Sequence, residues 1–228
     1  MVFGVGPGEP PVAEWRAVRV ADLVARILDG ADLASAGAPW IVAVDGRSGG
    51  GKSTLARRLA EAVPDLAIVH VDDVAWQAPM FDWAGLLADG VLEPLRRGEA
   101  VSYRPPAWEV HDRPGVIAVP SGRKLVIVEG VGAGRRELTG LVDRLIWVQS
   151  DYAEAERRGL ARDIASEVNG DAQATIEFWH SWMAAEIPFL QADRPWDRAH
   201  IIVAGTSALP QPPDEMLIAS PALASRST

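Results

Sequence analysis

The segment at residues 40–54, WIVAVDGRSGGGKST, constrains the fold of this chain more than any other. Residues 41–45 form an apolar run that is too short for a helix and is typical of a buried parallel strand. Residues 46–53, GRSGGGKS, match the pattern G-x-x-x-x-G-K-[ST] at every fixed position. The next apolar residues recur at helical spacing, at Leu55, Leu59 and Ala62. The sequence therefore predicts a strand, a glycine-rich loop and a helix in the order that this pattern requires.

Residues 46–53, which we call the phosphate loop, are suited to binding a polyphosphate. Glycines allow positive φ and a close approach of the backbone, so that successive N–H groups form an anion-binding nest at a helix N-terminus. Lys52 would reach the β- and γ-phosphates, and the Ser53 hydroxyl would hold Mg²⁺. We therefore expect ATP and Mg²⁺ as cofactors. The predicted nucleotide-binding residues are Gly46, Arg47, Ser48, Gly49, Gly50, Gly51, Lys52, Ser53 and Thr54.

The rest of the chain alternates between strand and helix patterns, which predicts an α/β protein with a mostly parallel sheet. The predicted strands lie at residues 41–45, 66–71, 125–129, 145–148 and 200–203. Helical patterns occupy residues 18–30, 53–63, 82–98, 152–168 and 172–187. A break is expected near Gly90 or Pro94, and Pro188 should end the last helix.

Three regions are expected along the 228 residues. Residues 1–39 form an N-terminal extension with one helix, whose first twelve residues are rich in Gly and Pro and should be poorly ordered. Residues 40–206 form one α/β domain built on the phosphate loop. Residues 207–228 are rich in Ser, Ala and Pro, which predicts a disordered tail.

Acidic residues close two of the predicted strands. Asp72 and Asp73 follow the second strand, and Glu129 ends the third. Because ligands bind outside the carboxyl ends of parallel strands, these acids and the phosphate loop should line one crevice. Asp72 is favoured as a base that accepts a proton from a hydroxyl, although it could instead join Ser53 and Glu129 around Mg²⁺. The simpler alternative is that these acids only cap strand ends.

Arginines cluster on the predicted helix at residues 152–168. Arg158 and Arg162 are four residues apart and share a face, where they could neutralise a transferring phosphoryl group. We therefore consider both arginines, together with Lys52 and Asp72, as catalytic candidates. The alternative for Arg157, Arg158 and Arg162 is ordinary ion pairing on a solvated face, for example between Glu154 and Arg158.

An irregular segment at residues 100–120 combines aromatic and polar side chains. Tyr103, Trp108, His111 and Arg113 could stack on and hydrogen-bond an acceptor molecule. We expect Tyr103, Trp108 and His111 to bind substrate together with Asp72 and Asp73. The alternative is a loop that packs its Trp on the core.

Composition narrows the classes of partner. The net charge of −9 disfavours general binding to nucleic acid or to anionic membranes. The absence of Cys excludes disulfides and thiolate chemistry. The sequence contains neither a long apolar run nor a recognisable signal peptide, so a cytoplasmic location is expected. The oligomeric state is left open.

Taken in order, these motifs resemble the uridine kinase-like P-loop kinases. The resemblance covers residues 40 to about 206 and includes WIVAVDGRSGGGKS, VHVDD, LEPLRRGEAVSYRPPAW, VIVEGVGAG, ERRGLARD and AHIIVAGT. It implies a three-layer α/β/α P-loop NTPase fold with a five-stranded sheet of order 2-3-1-4-5. A β-hairpin arm near residues 100–120 and a helical lid are also implied.

The resemblance further implies roles for single residues. ATP would bind at the phosphate loop, Asp72 would be the base, and Tyr103 would contact the acceptor. Arg158 and Arg162 would belong to a lid over the phosphates. The chain departs from the family after Asp72, where Asp73, Val74, Ala75 and Trp76 replace the usual Ser-Phe-Tyr-like run.

These inferences predict an ATP-dependent kinase that phosphorylates a hydroxyl of a small molecule, with a nucleoside as one candidate. Two alternatives stay open: a kinase for another metabolite, such as a sugar acid or a vitamin precursor, and a non-catalytic nucleotide-binding regulator. A GTPase is disfavoured, because the single Asn of the chain is not part of an N-K-x-D guanine-binding motif.

Overall fold

The computed structural model describes residues 4–33, 37–206 and 214–219 of the chain. Its nine strands are β1 (Arg16–Arg19), β2 (Trp40–Gly46), β3 (Ala67–His70), β4 (Val101–Tyr103), β5 (Ile117–Val119), β6 (Leu125–Glu129), β7 (Arg144–Gln149), β8 (Ile201–Ala204) and β9 (Glu215–Ala219). Its eight α-helices are α1 (Val20–Ile27), α2 (Lys52–Ala62), α3 (Val71–Val74), α4 (Ala84–Leu87), α5 (Glu93–Arg96), α6 (Pro106–Val110), α7 (Tyr152–Ser166) and α8 (Ala172–Asp193). A π-helical turn (Ala88–Leu92) and two 3₁₀ turns (Arg136–Leu141 and Pro195–Asp197) complete these elements.

The central sheet has the order β1-β9-β8-β7-β2-β6-β3. Its five parallel strands, β3-β6-β2-β7-β8, have the predicted order 2-3-1-4-5, so that prediction is confirmed. The predicted strand count is wrong, because β9 and β1 extend the β8 edge with antiparallel pairs. The buried side chains of Met216 and Ile218 explain why residues 215–219 form a strand within a tail that the composition predicted to be disordered.

Two apolar layers cover the sheet, as expected when parallel strands are buried on both faces. One layer joins α1 and α2 to the sheet through Leu23, Leu55 and Leu59. The opposite layer contains Leu87 and Leu190. The described part of the N-terminal region has the one expected helix, α1, which packs on α2, and adds the strand β1, which pairs with β9.

The last helix, α8, is longer than predicted, because it continues through Pro188 to Asp193. A helix-internal proline cannot donate a backbone hydrogen bond and costs about 3 kcal/mol. Leu190 is fully buried, and the ring of Phe189 stacks on that of Phe81 with centroids 4.3 Å apart. We attribute the continuation of the helix to this packing.

The segment at residues 100–120, which we call the arm, contains the predicted hairpin. Its strands β4 and β5 pair in antiparallel fashion from Val101 with Val119 to Tyr103 with Ile117. The short helix α6 lies between them. The helical segment before the arm deforms at the predicted place, because the π-helical turn contains Gly90. In the described residues, no helix is long and apolar enough to cross a membrane.

Candidate functional site

The phosphate loop joins β2 to α2, and its backbone requires glycine. Gly51 lies at φ 96° immediately before the first residue of α2. Gly49 has φ 70°, and a Cβ atom there would lie 2.1 Å from the carbonyl oxygen of Ala155 in α7. A side chain at either position would strain the backbone, and at Gly49 it would also separate the loop from α7.

Hydroxyl groups of neighbouring residues bind two carbonyl oxygens of the phosphate loop. The Ser150 hydroxyl donates to the carbonyl of Gly50 at 2.6 Å, and the Thr206 hydroxyl donates to that of Gly49 at 2.6 Å. The first-turn N–H groups of α2 have no intrahelical acceptor. The loop therefore presents these donors to a bound anion at the positive end of the helix dipole.

Lys52 lies inside this loop. Its side chain is buried, and its Nζ donates to the carbonyl of Arg47 at 3.0 Å. The Lys52 charge acts to lower the pKa values of three nearby carboxyls, Asp45, Asp72 and Glu129. The structure thus brings this lysine close to the acids that the sequence placed at strand ends.

The side chain of Arg47 takes part in an internal contact. Its Nε donates to Glu9 at 3.2 Å, and its Nη2 donates to the carbonyl of Pro7 at 2.7 Å. Glu9 is also buried and accepts from Trp147 at 2.5 Å and from Gln149 at 3.0 Å. These bonds occupy the side chain of Arg47, so only its backbone can make the predicted contacts with a nucleotide.

These contacts define an N-terminal strap, residues 4–12, behind the phosphate loop. The carbonyl of Gly4 accepts from the backbone N–H of Tyr152 at 2.8 Å, and Val12 donates to Gln149 at 3.3 Å. The expectation of poor order in residues 1–12 is therefore wrong for residues 4–12, because a buried carboxylate and several backbone bonds hold them. Residues 1–3 lie outside the described part.

Glu129 and Ser53 meet as the motif predicts. The Ser53 hydroxyl donates to Glu129 Oε1 at 3.0 Å, and the same oxygen lies 2.5 Å from His70 Nδ1. Burial alone would raise the pKa of Glu129, but the His70 hydrogen bond and the Lys52 charge lower it. The same hydrogen bond raises the pKa of His70. Glu129 is therefore held as a carboxylate beside the serine.

Asp72 lies in α3, directly after β3, at an exposed position where the charges of Lys52 and Glu129 act on it. Its pKa is raised, chiefly because the surrounding protein desolvates the charged form, and the Lys52 charge opposes this shift. An accessible carboxylate with a raised pKa is suited to accepting a proton from a bound hydroxyl.

Asp73 is directed toward the arm. It lies 2.5 Å from Arg113 Nη2, and its carbonyl accepts from the indole of Trp108 at 2.9 Å. The Arg113 guanidinium stacks on the Trp108 ring at 3.9 Å and is near that of Trp76 at 5.1 Å. Trp108 is buried in these contacts, so the predicted stacking of an acceptor on its ring is not what the structure shows.

The other predicted acceptor contacts differ in exposure. His111 is exposed and meets the Trp76 ring edge to face, with centroids 5.6 Å apart. Tyr103 is half-buried against Gly90 and lines a surface cavity of about 400 Å³ together with Asp89. Its pKa is raised by burial and by the charge of Asp89.

The arginines of α7 separate into two groups. Arg157 and Arg158 both donate to Glu154, at 2.7 and 2.6 Å, and lower the pKa of that carboxyl to about 2. Arg162 donates to Asp163 at 2.7 Å. Its pKa is raised first by this bond and further by the charges of Asp72 and Glu129. Of the two predicted lid residues, Arg162 therefore shows the electrostatic link to the crevice.

Asp45 connects the start of the phosphate loop to a neighbouring loop. It is fully buried and accepts from the backbone N–H groups of Gly46, Gly132 and Gly134 at 2.7, 2.8 and 2.9 Å. The loop at residues 130–134 is thereby fixed to the start of the phosphate loop. Burial raises the pKa of Asp45 to about 6 in spite of these three donors.

We expect the stability that depends on Asp45 to vary with pH. A folded-state pKa of about 6, above the ordinary 3.8, gives a contribution that is full below pH 3.8 and is lost as the pH rises through 6. The free energy of unfolding of the wild type, minus that of Asp45→Asn, should therefore fall by about 3 kcal/mol between pH 3 and 7. Urea unfolding of both proteins measures it, and a flat difference would contradict the raised pKa.

In the described residues, no group of three or more His, Asp or Glu side chains forms a metal site by itself. Ser53 and Glu129 nevertheless supply the hard oxygen donors that Mg²⁺ prefers, and phosphate oxygens would complete the shell. These residues therefore fit a metal that arrives with a nucleotide.

Sequence reasoning missed several residues of this site. Asp45 and His70 interrupt predicted apolar strands, and that interruption was an available signal. Glu9 and Glu186 gave no signal, because only the tertiary structure brings them to Arg47 and Ser48.

Comparisons with known proteins bear on the fold. No protein-family model matches the chain, and no curated protein matches it either. A solved structure titled a D-glycerate 3-kinase from Cryptococcus neoformans matches with a TM-score of 0.55 at 13% identity, over 82% of this chain and 92% of that one. A candidate fructose transport system kinase from a Silicibacter species matches with a TM-score of 0.54 at 20% identity, over 78% and 94%.

A structure titled a possible uridine kinase from Bacillus stearothermophilus also matches, at 19% identity over 79% of this chain and 98% of that one, but its TM-score of 0.47 is too low to support an inference. The first two structures match the fold of this chain over most of its length. The chain therefore has the three-layer α/β/α fold of the P-loop kinases.

Proposed function

We propose that this protein is an ATP-dependent phosphotransferase that phosphorylates a hydroxyl of a small molecule. The observation that carries the proposal is the meeting of a phosphate loop with an accessible carboxylate. Lys52 acts electrostatically on Asp72 and Glu129, and Ser53 bonds to Glu129. A loop that only bound nucleotide would not need Asp72 at the mouth of the crevice.

Each residue has a defined task in this reaction. The loop N–H groups and Lys52 hold the phosphates and neutralise their charge. Asp72 orients the acceptor hydroxyl and takes its proton as that oxygen forms a bond to the γ-phosphorus and ADP leaves. Ser53 and Glu129 would hold Mg²⁺, which would supply positive charge to neutralise the phosphates. Arg162 is placed to neutralise the same charge from the side of α7.

The acceptor side of the crevice favours a small polar molecule. Asp73 and Arg113 form an ion pair beside Asp72, and His111 is exposed next to Trp76. The two structures with similar folds are titled as kinases for fructose transport and for D-glycerate. A sugar-related metabolite is therefore a candidate acceptor, alongside the nucleoside that the sequence resemblance suggested. The reaction is proposed to occur in the cytoplasm.

The proposal is tested by screening acceptors. Thermal unfolding of the protein with Mg²⁺ and a non-hydrolysable ATP analogue would be compared with and without nucleosides, sugars and sugar acids, since a true acceptor stabilises the folded state by mass action. Stabilising compounds would then be incubated with ATP, and a product heavier by one phosphoryl group should appear by mass spectrometry. Nucleotide binding without product from any acceptor would favour the non-catalytic regulator instead.

We expect Arg162→Ala to lower kcat by about 100-fold while the KM for ATP changes less. The reason is that Arg162 acts on the charges of the crevice, although its contact partner in the structure is Asp163. Arg157→Ala is the matched control, because Arg157 lies on the same helix and pairs with Glu154. Steady-state kinetics of both variants decides the point. If Arg162 is only a surface pair, it is worth less than about 1 kcal/mol and kcat will not change.

A further inference from the structure

A buried carboxylate contacts the phosphate loop from a helix that the motif does not include. Glu186, in α8, is 0% exposed. It accepts from the backbone N–H of Ser48 at 3.2 Å, from the Ser48 hydroxyl at 2.6 Å and from the Trp182 indole at 2.8 Å. Ser48 is the third residue of the phosphate loop.

The cluster is built around one buried acceptor oxygen. The three bonds converge on Oε2 of Glu186, whereas Oε1 faces only the Ser48 N–H, at 3.4 Å. All of these groups are donors, and a donor removed from water is costly without an acceptor. A glutamine can keep its carbonyl oxygen at the Oε2 position, whereas an apolar side chain removes the acceptor.

The cluster links the phosphate loop to the segment between α3 and α4. Trp182 and Glu186 are one turn apart on α8, so they share a face. The Trp182 ring packs on Phe81 with centroids 5.0 Å apart, and Phe81 belongs to the segment that links α3, which carries Asp72, to α4. The Trp182 indole also donates to the Ser48 hydroxyl at 2.8 Å. Glu186 therefore contacts the phosphate loop directly and reaches Phe81 through Trp182. We call Trp182 and Phe81 the acceptor wall, because they adjoin the segment that carries Asp72.

The backbone N–H of Ser48 donates to Glu186, so this donor is not free to bind phosphate. The bond directs it away from the anion nest, and the Gly50 N–H donates to the carbonyl of Arg47 at 3.0 Å. Ser48 precedes the first turn of α2, whose donors do not depend on Glu186. Loss of the carboxylate should therefore disturb the loop at Ser48 and spare the phosphate donors of the first turn of α2.

We propose that Glu186 is a positioning residue that fixes Ser48 and Trp182 relative to each other, and so aligns the phosphate loop with the acceptor wall. This inference rests on the proposed function. It assigns Glu186 no contact with the reacting atoms. Its effect is transmitted through the conformation of Ser48 and through the placement of the Trp182 ring.

The test compares the kinetics of Glu186→Met and Glu186→Gln with those of the wild type, using the acceptor found by the screen. We expect Glu186→Met to lower kcat by about 10- to 100-fold, because it removes the acceptor of the Ser48 and Trp182 hydrogen bonds, and to raise the KM for the acceptor. Glu186→Gln can keep that acceptor oxygen and should retain most of kcat. The KM for ATP should change by less than about threefold in both variants, because the first-turn donors of α2 are kept. Glu177→Met is the matched control, since Glu177 is exposed on the same helix.

A double-mutant cycle with Ser48→Ala measures the coupling of the two residues in kcat. If Glu186 contributed only to stability, this coupling would be absent. Ser48→Ala removes the hydroxyl donor whose acceptor is lost in Glu186→Met, so the two changes should be non-additive in kcat. A lower melting temperature with unchanged kcat and unchanged KM values below the transition would overturn the role of Glu186 alone. A wild-type protein that binds ATP but phosphorylates no acceptor would overturn the proposed function, and this inference with it.

Discussion

Lys52→Ala is expected to lower ATP turnover by at least about 100-fold, since it removes the charge that faces the phosphates. The fold should be retained, because among the described residues the ammonium makes one hydrogen bond, to the carbonyl of Arg47, worth about 1 kcal/mol. Lys52→Met is the matched variant, as it keeps most of the apolar stem. Turnover and thermal unfolding of all three proteins measure these effects.

A second readout separates an electrostatic role of Lys52 from a packing role. The Lys52 charge lowers the pKa values of Asp72 and Glu129, so its loss should move the acid limb of any residual activity to higher pH. A melting temperature that falls together with activity in both Lys52→Ala and Lys52→Met would show that Lys52 is structural.

Asp72→Asn is expected to lower kcat by about 10²- to 10⁴-fold, while the affinity for nucleotide is kept. The reason is that asparagine preserves the shape of the side chain but cannot accept the proton of the acceptor. Desolvation raises the pKa of Asp72, so this carboxylate takes up a proton at a higher pH than an ordinary aspartate. As the pH is lowered, the wild-type rate should therefore begin to fall at a higher pH than an ordinary aspartate would give. Rates from pH 4 to 9, together with calorimetric binding of an ATP analogue, measure both properties.

Asp73→Asn is the natural comparison for that variant. Asp73 is paired with Arg113, so this change should affect the KM for the acceptor more than it affects kcat. If Asp72→Asn weakens nucleotide binding as much as it lowers the rate, then Asp72 serves Mg²⁺ and is not the base. An unchanged acid limb in Asp72→Asn would lead to the same conclusion.

Local sequence patterns determined the framework of this protein. The apolar run at residues 41–45 and the glycines of the phosphate loop specify a buried strand and a turn that only glycine tolerates, because both depend on neighbouring residues. The alternation of strands and helices indicated a parallel sheet, and the acids at strand ends indicated one shared edge. For this reason Ser53 and Glu129, 76 residues apart, could be placed together. The order of the five parallel strands came from the resemblance to the uridine kinase-like P-loop kinases.

The tertiary structure decided what the long-range contacts bring together. Arg47 and Trp108 looked like ligand-binding residues, but Glu9 and Asp73 bind them. The strand β9 forms within a polar tail because the β8 edge and the apolar layer beneath it accept Met216 and Ile218. Periodicity reports which face of an element is apolar, but it does not report which distant segment covers that face.

The acids without a local motif show the same limit most clearly. Glu186 is 138 residues from Ser48 and Glu9 is 38 residues from Arg47, and no spacing rule connects either pair. A carboxylate in a helix or near a terminus is ordinarily exposed, so the sequence predicts that both glutamates lie on the surface. Only the packing of α8 and of the strap against the phosphate loop removes these carboxylates from water and leaves loop donors as their partners. The composition of the site beyond its motif was therefore fixed by tertiary contacts, since burial and hydrogen-bond partners depend on the whole fold.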